Sequence, residues 1–160
     1  MTEIIFTALI FNAALLLAVA QLLDLAAPGG KRESLRRSPW LVGVVLGGIG
    51  IGVMLAPLTL MPGVIFDVRS VLLAITGLFF GAIPAAIAMA MTAAYRLSLG
   101  GAGAWTGVAV ILSSGLIGLA WRHWRRPVLA AMGWRELYLF GLLVHLVMMG
   151  WMLSLSLEVF

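Results

Sequence analysis

Long apolar runs separated by short basic loops leave this chain few ways to fold. Ile4 to Leu25, Trp40 to about Leu60, Trp105 to Trp121 and Trp134 to about Leu157 approach or exceed the length a helix needs to cross a bilayer. Hydrocarbon offers the backbone no hydrogen-bond partners, so such runs must satisfy their own amides as helices. The 160 residues are 63% hydrophobic and 10% charged, far outside the soluble range. The expected fold is an all-α integral membrane protein, a polytopic helical bundle.

Charge placement gives an orientation. Of the ten cationic residues, most lie in two loops, Lys31-Arg32-Glu33-Ser34-Leu35-Arg36-Arg37 and Arg122-His123-Trp124-Arg125-Arg126. A net charge of +4 could signal nucleic acid in a soluble chain. Here the clusters flank spans, so they mark cytoplasmic loops and no nucleic-acid partner is expected. The N-terminus, with Glu3 and no basic residue, is then outside. Ile4 to Leu17 could pass for a signal-peptide core with Ala18-Val19-Ala20 as a cleavage site. The missing positive charge and the apolar continuation to Ala27 favour a retained first helix. Trp40, Trp105, Trp121, Trp124, Trp134 and Trp151 fall near helix ends, as interfacial anchors do in contact with membrane lipids. With no Cys, disulfides, thiol catalysis and cysteine metal sites are excluded.

Between the second and third plain spans lies an interrupted segment, Val71 to Leu97, with Gly77, Gly81 and Pro84 near its middle. The charge rule puts both its ends outside. It is read as re-entrant, two half-helices broken near Gly81-Ala82-Ile83-Pro84, with a single kinked crossing as the competing reading. Irregular backbone at that depth is tolerated where protein or a watery cavity covers it.

Arg69 and Arg96 bracket this segment, 27 positions apart. An ionisable group at membrane depth is costly and normally faces a cavity or partner. Re-entrance brings both arginines to one level, where two guanidinium forks suit a carboxylate. The competing reading is snorkelling to headgroups or pairing with Asp67. Asp67 either orients Arg69 or caps the helix starting near Ser70. Tyr95 either donates to an anion or keto oxygen or anchors the interface. Gly100, Gly101 and Gly103 either bring backbone amides to an anion at the start of the next helix or form a flexible turn. Ser113 and Ser114 are expected to bond within the bundle, and His145 to be a packing residue. No metal site, no cofactor and no catalytic arrangement is visible.

Phe66-Asp67-Val68-Arg69, Gly77-Leu78-Phe79-Phe80-Gly81-Ala82-Ile83-Pro84, Tyr95-Arg96-Leu97 and Gly100-Gly101-Ala102-Gly103 together resemble the sensor domain of LytS-type five-transmembrane receptors. Gly115-Leu116-Ile117-Gly118 before a basic turn and Leu143-Val144-His145-Leu146 fit the same pattern. The resemblance covers about residues 60 to 155 well and the first two helices loosely. It implies the N-terminal sensor of a bacterial histidine kinase or diguanylate cyclase, and hence a two-component or related signal-transduction system. It also implies a homodimer in the cytoplasmic membrane. The family usually carries another apolar helix beyond this point, so residues 1–160 are expected to be a transmembrane sensor domain truncated before a last helix and an output domain. Gly43 and Gly47, with Gly48 and Gly52, offer small-residue spacing on the second span, either for a dimer or for close intramolecular packing.

The function these readings imply is a membrane receptor that binds a small organic anion, such as a 2-oxo monocarboxylate, near the outer face and relays to a cytoplasmic kinase or cyclase. The alternative is a substrate-binding subunit of a vitamin or metabolite importer, for which Ala14-Leu15-Leu16-Leu17-Ala18 has suitable small-residue spacing. This portion of the protein is not expected to be an enzyme.

Overall fold

The computed structural model describes residues 17, 38–55, 58–61, 64–66, 69–101, 103–125 and 132–158. Apart from Leu17, the expected first span and the basic loop 31–37 lie outside the described residues, as do Asp67, Ala102 and Arg126. Helix α1 runs Pro39–Leu55. A two-stranded antiparallel hairpin follows, β1 Leu58–Met61 and β2 Val64–Phe66, with Leu58 opposite Phe66 and Met61 opposite Val64. Helix α2, Arg69–Ile75, continues directly into a π-helical segment, Thr76–Phe80. After Gly81 come α3, Ala82–Leu99, and α4, Ala104–Arg125, then α5, Trp134–Glu158. Three of these helices are long and apolar enough to cross a membrane, while α1 and the stretch Arg69–Phe80 are shorter apolar helices. The fold is the all-α polytopic bundle expected, with one short hairpin inserted.

The second span is shorter than its hydropathy suggests. It stops at Leu55 instead of near Leu60, and the apolar residues after it belong to the hairpin. Pro57 supplies the reason, because it lacks an amide hydrogen and disfavours helical geometry in the residue before it. The β-branched and bulky residues of Leu58 to Phe66 then suit strands as well as they suit a span. At the other extreme, α4 runs on through Arg122, His123 and Trp124 to Arg125, residues the charge pattern assigns to a loop.

Glycine contacts fix how the helices run. A Cβ on Gly43 would meet Pro84 and Ile87, and one on Gly47 would meet Ala88 and Met91, so α1 and α3 lie parallel and close. Gly77 abuts the backbone of Gly115, Gly118 and Leu119, and Gly118 abuts Ala74 and Leu78, so α2 and the π-helical segment lie along α4. Met89 covers Gly115 and Arg96 covers Gly107, which makes α3 antiparallel to α4. Lipid gives little hydrophobic drive for helices to associate, and close approach through small residues supplies the van der Waals contact instead.

The chain therefore reverses at Gly81. Arg69 and Leu99 lie at one end of the bundle with the hairpin, and Gly81 lies at the other with Arg122. The dip and return expected of the interrupted segment is present, but α3 is no half-helix: its 18 residues cover about 27 Å. Large apolar side chains such as Trp40, Leu41 and Val44 on α1, and Leu139, Leu142 and Leu146 on α5, are exposed, as lipid-facing surfaces require. The interior consists of Val42, Leu46, Leu72, Leu73, Ala88 and Ile111 around α1, α2, α3 and α4, and of Ala74, Leu78, Phe140 and Val144 where α5 docks.

Candidate functional site

The strongest charge anomaly sits at the hairpin end. Arg69 opens α2 and is 6% exposed. Beside it Ser70 is fully buried, its hydroxyl donating to the Met148 sulfur on α5 at 3.6 Å. Arg96 lies in the last turn of α3, half-buried, and its Nη1 donates to the Gly100 carbonyl at 3.0 Å. Gly50 locates the two arginines relative to one another. A Cβ there would lie 2.6 Å from the Thr92 methyl and 3.6 Å from a Leu72 methyl, so Leu72 and Thr92 share a level. Arg69 is one turn from Leu72 and Arg96 one turn from Thr92, both toward the hairpin. The fold thus brings to one level two arginines that the sequence separates by most of two helices.

The other residues expected at this site distribute unevenly. Tyr95 is half-buried on α3, and its carbonyl accepts from the Ser98 hydroxyl. The Gly100 amide, one of those expected to face an anion, donates to Leu97 O at 3.1 Å and closes α3. Gly101 is exposed with φ 86°, and its carbonyl accepts from Ala104 N as α4 begins. Both glycines adopt positive φ, which accounts for glycine at a reversal of this sharpness. Asp67 lies outside the described residues.

Two residues here were not singled out by pattern. Gly107 provides the surface on which Arg96 lies: a Cβ at that position would be 2.5 Å from Nε and 3.0 Å from Cδ of Arg96. Arg122, expected only as a cytoplasmic charge, reaches across the bundle from α4. Its Nη1 donates to Leu78 O at 2.9 Å and Phe79 O at 2.8 Å. These carbonyls end the π-helical segment, where the break at Gly81 interrupts the run of backbone N–H groups that would donate to them. A cation at a helix C-terminus also meets the negative end of the dipole. Gly81 has φ 93° and ψ −166°, a region open essentially to glycine alone, and the Arg122 guanidinium passes 3.5 Å from where a Cβ would be. Nothing in the local sequence signals this bond, which joins residues more than 40 positions apart.

Elsewhere, several of the described polar side chains bond within the bundle. Thr76 and Thr92 donate to Leu72 O and Ala88 O on their own helices, both at 2.7 Å. Such back-bonding bends helices, and at Thr76 it coincides with the change to π geometry. Ser113 donates to Val110 O, and His145 Nδ1 lies 2.8 Å from Gly141 O, one turn back. Since a carbonyl only accepts, Nδ1 carries the hydrogen. At the basic end Arg125 grips Glu136 with Nε and Nη2, and the Trp121 indole donates to the same carboxylate at 3.2 Å. That network, with Trp121 edge-on to Phe140, fastens α4 to α5.

The architecture and its charge defects define a helical membrane domain: apolar faces outward, a broken segment within, and a buried arginine at one end. Residues 29–159 match the family model of the five-transmembrane receptor domain of the LytS type (5TMR of 5TMR-LYT), and the chain belongs to that family. It is a membrane protein and a membrane sensor domain, a kind of domain that is not itself catalytic. No curated protein and no solved structure matches the chain.

Proposed function

We propose that this domain binds a small organic anion, with a 2-oxo monocarboxylate as the favoured class, between Arg69 and Arg96. It would then relay occupancy to a cytoplasmic kinase or cyclase. The observation that carries this reading is the placement of a buried Arg69 and a half-buried Arg96 at one level and one end of the bundle, on different helices. Two guanidinium forks can grip one carboxylate with charge-assisted bonds, and Tyr95 on the same turn as Arg96 offers a hydroxyl to a keto oxygen. On this reading Asp67, two positions before Arg69 in the sequence, would orient that guanidinium, its alternative role being a cap for the helix that follows. Gly101 supplies backbone at the mouth. The hairpin end faces outward across the bacterial cytoplasmic membrane, the N-terminus lies outside, and the receptor works as a homodimer. Membership of a receptor family supports this reading over that of an importer subunit.

Binding alone transmits nothing. The anion must prefer one arrangement of the helices over another, by about 5.5 kcal/mol for a near-complete switch. The test is a thermal-shift screen of the detergent-purified domain against small carboxylates, phosphates and vitamins, with the Arg69→Ala/Arg96→Ala double variant alongside. Stabilisation by a carboxylate, absent in the double variant, is expected. A carboxylate that stabilises both proteins equally rules out the arginine site.

A further inference from the structure

Helix α2 and its π-helical continuation run through the middle of the bundle. Leu72 faces Gly50 of α1, Gly77 faces Gly115 and Gly118 of α4, and Ser70, Ala74 and Leu78 face Met148, Val144 and Phe140 of α5. Residues 69–78 are buried except for Val71 and Ile75, and Phe79 continues their line at 36% exposure. Every fourth residue returns to the same side of a helix, so these three form one stripe. The stripe lies between the side of α2 turned to α1 and the side turned to α5. Among the described residues α1 and α5 share no packed interface, and a groove runs between them with the stripe as its floor.

The walls follow from the helical repeat. On α1, Gly43 and Gly47 face α3 and Gly50 faces Leu72; next round the helix in that direction come Ile49 and Val45. On α5, Glu136 and Phe140 face α4, and Val144 and Met148 face α2; next in that direction come Gly141 and His145. These lining residues are apolar except for His145, near the middle of α5. His145 Nδ1 donates to Gly141 O, so in the neutral ring Nε2 is the acceptor.

We propose that the chain's own first span, Ile4 to Leu25, fills this groove, with the Asn12 side-chain amide donating to His145 Nε2. Helix α1 begins at the Gly81 end, since Gly43 meets Pro84. The basic connection 26–38 stays on one side of the membrane, so the span ends where α1 begins. As a helix it is about 33 Å long, enough to run the length of the groove. With Leu25 level with Trp134, which opens α5 at that same end, Asn12 stands ~20 Å up the bundle and His145 ~17 Å. Leu17, the one described residue of the span, is helical and 61% exposed. Asn12 lies about 140° round a helix from it, on the side turned away from lipid. A mid-membrane amide needs a hydrogen-bond partner, and a lipid chain supplies none. Seated there, the span covers the remaining side of α2, the helix that Arg69 opens.

The chain has no cysteine, so paired cysteines report only where they are introduced. The test is disulfide formation in native membranes, read as thiols lost to labelling after denaturation. Leu16→Cys with Gly141→Cys probes the seat: Leu16 is one turn from Asn12, and a Cβ at Gly141 would meet none of the described residues within 4 Å. Leu16→Cys with Leu116→Cys, on the exposed face of α4, should stay reduced. Gly50→Cys with Thr92→Cys, positions already in contact, verifies that the oxidant reaches this depth. The 16–141 pair is expected to close within one chain to an extent comparable with 50–92. No 16–141 bond, or equal closure of 16–141 and 16–116, overturns the seat. A 16–141 bond found only in a species of twice the mass gives the groove to a second copy and overturns it as well. Asn12→Leu and His145→Leu test the pairing through melting temperature in detergent. Each should lower it, and the double variant should melt no lower than the worse single one. Losses that add overturn the Asn12–His145 bond, while the disulfides decide the seat independently.

Discussion

Arginine is the costliest residue to place among apolar helices, so each one near the bundle interior needs a physical account. Arg122 has one in full: it accepts the dipole end of a broken helix and supplies donors to two carbonyls the break would leave open. Arg122→Met should destabilise the domain by about 1.5–3 kcal/mol, the worth of hydrogen bonds to a charged group. Arg122→Lys should recover part of that loss, because an ammonium still donates; thermal denaturation in detergent reads both. At the other end Arg96 lies where Gly107 has no side chain. Gly107→Ala should push the flexible Arg96 aside and weaken carboxylate binding roughly tenfold, about 1.4 kcal/mol, with little change in melting temperature. A Gly107→Ala protein that binds as tightly as wild type would show that the position of Arg96 is irrelevant to the ligand. The two arginines were legible in the sequence because charge stands out against an apolar background. Gly107 and the reach of Arg122 were not, since glycine carries no chemical signal and a 44-residue contact leaves no local pattern.

At the scale of elements, glycines sort by what faces them. Gly43 and Gly47 on α1 are consumed by packing against α3, whereas a Cβ on Gly48 or Gly52 of the same helix would meet none of the described residues within 4 Å. Gly118→Ala places a methyl against the Ala74 carbonyl and the Leu78 amide, backbone that cannot swing away. It should cost about 1–3 kcal/mol, the usual penalty of overpacking. Gly48→Ala meets nothing and should be neutral or stabilising by up to about 1 kcal/mol, the gain in helix propensity. Melting temperatures of the pair in the same detergent check both; equal losses would mean that α2 and α4 are not in backbone contact. The helices, the break at Gly81 and the glycine loop at 100–103 could be read from hydropathy and from Gly and Pro. The hairpin at 58–66 could not, because bulky apolar residues serve a strand and a span equally, and Pro57 and Pro62-Gly63 interrupt the run without saying which element lies between them. The π-helical turn was equally hidden, since the contacts that accompany it, Gly77 against α4 and Arg122 on the Leu78 and Phe79 carbonyls, join residues far apart in the sequence.

For the whole molecule, the decisive relation is which residues share an end. Gly101 belongs with the hairpin, Arg69 and Arg96, whereas Trp124 belongs with Arg122, Arg125 and Glu136, a full length of α4 away. On the orientation proposed above from the charge rule, the second of these ends is the cytoplasmic one. In intact cells a membrane-impermeant thiol reagent should therefore label Gly101→Cys, while Trp124→Cys and Glu33→Cys react only after the membrane is opened. The absence of native cysteine makes each label unambiguous. The experiment also bears on the reversal at Gly81. If residues 69–99 made one net crossing, position 101 would lie on the opposite side from the hairpin, and α4 would deliver its arginines outward. External labelling of 124 with protection of 101 would mean one net crossing, and failure of the re-entrant reading, if position 33 stays protected; if position 33 labels from outside as well, the molecule is inverted and the arginine pair lies on the cytoplasmic side. Labelling of both 101 and 124 from outside would contradict the bundle itself, because α4 could not then separate them across a membrane.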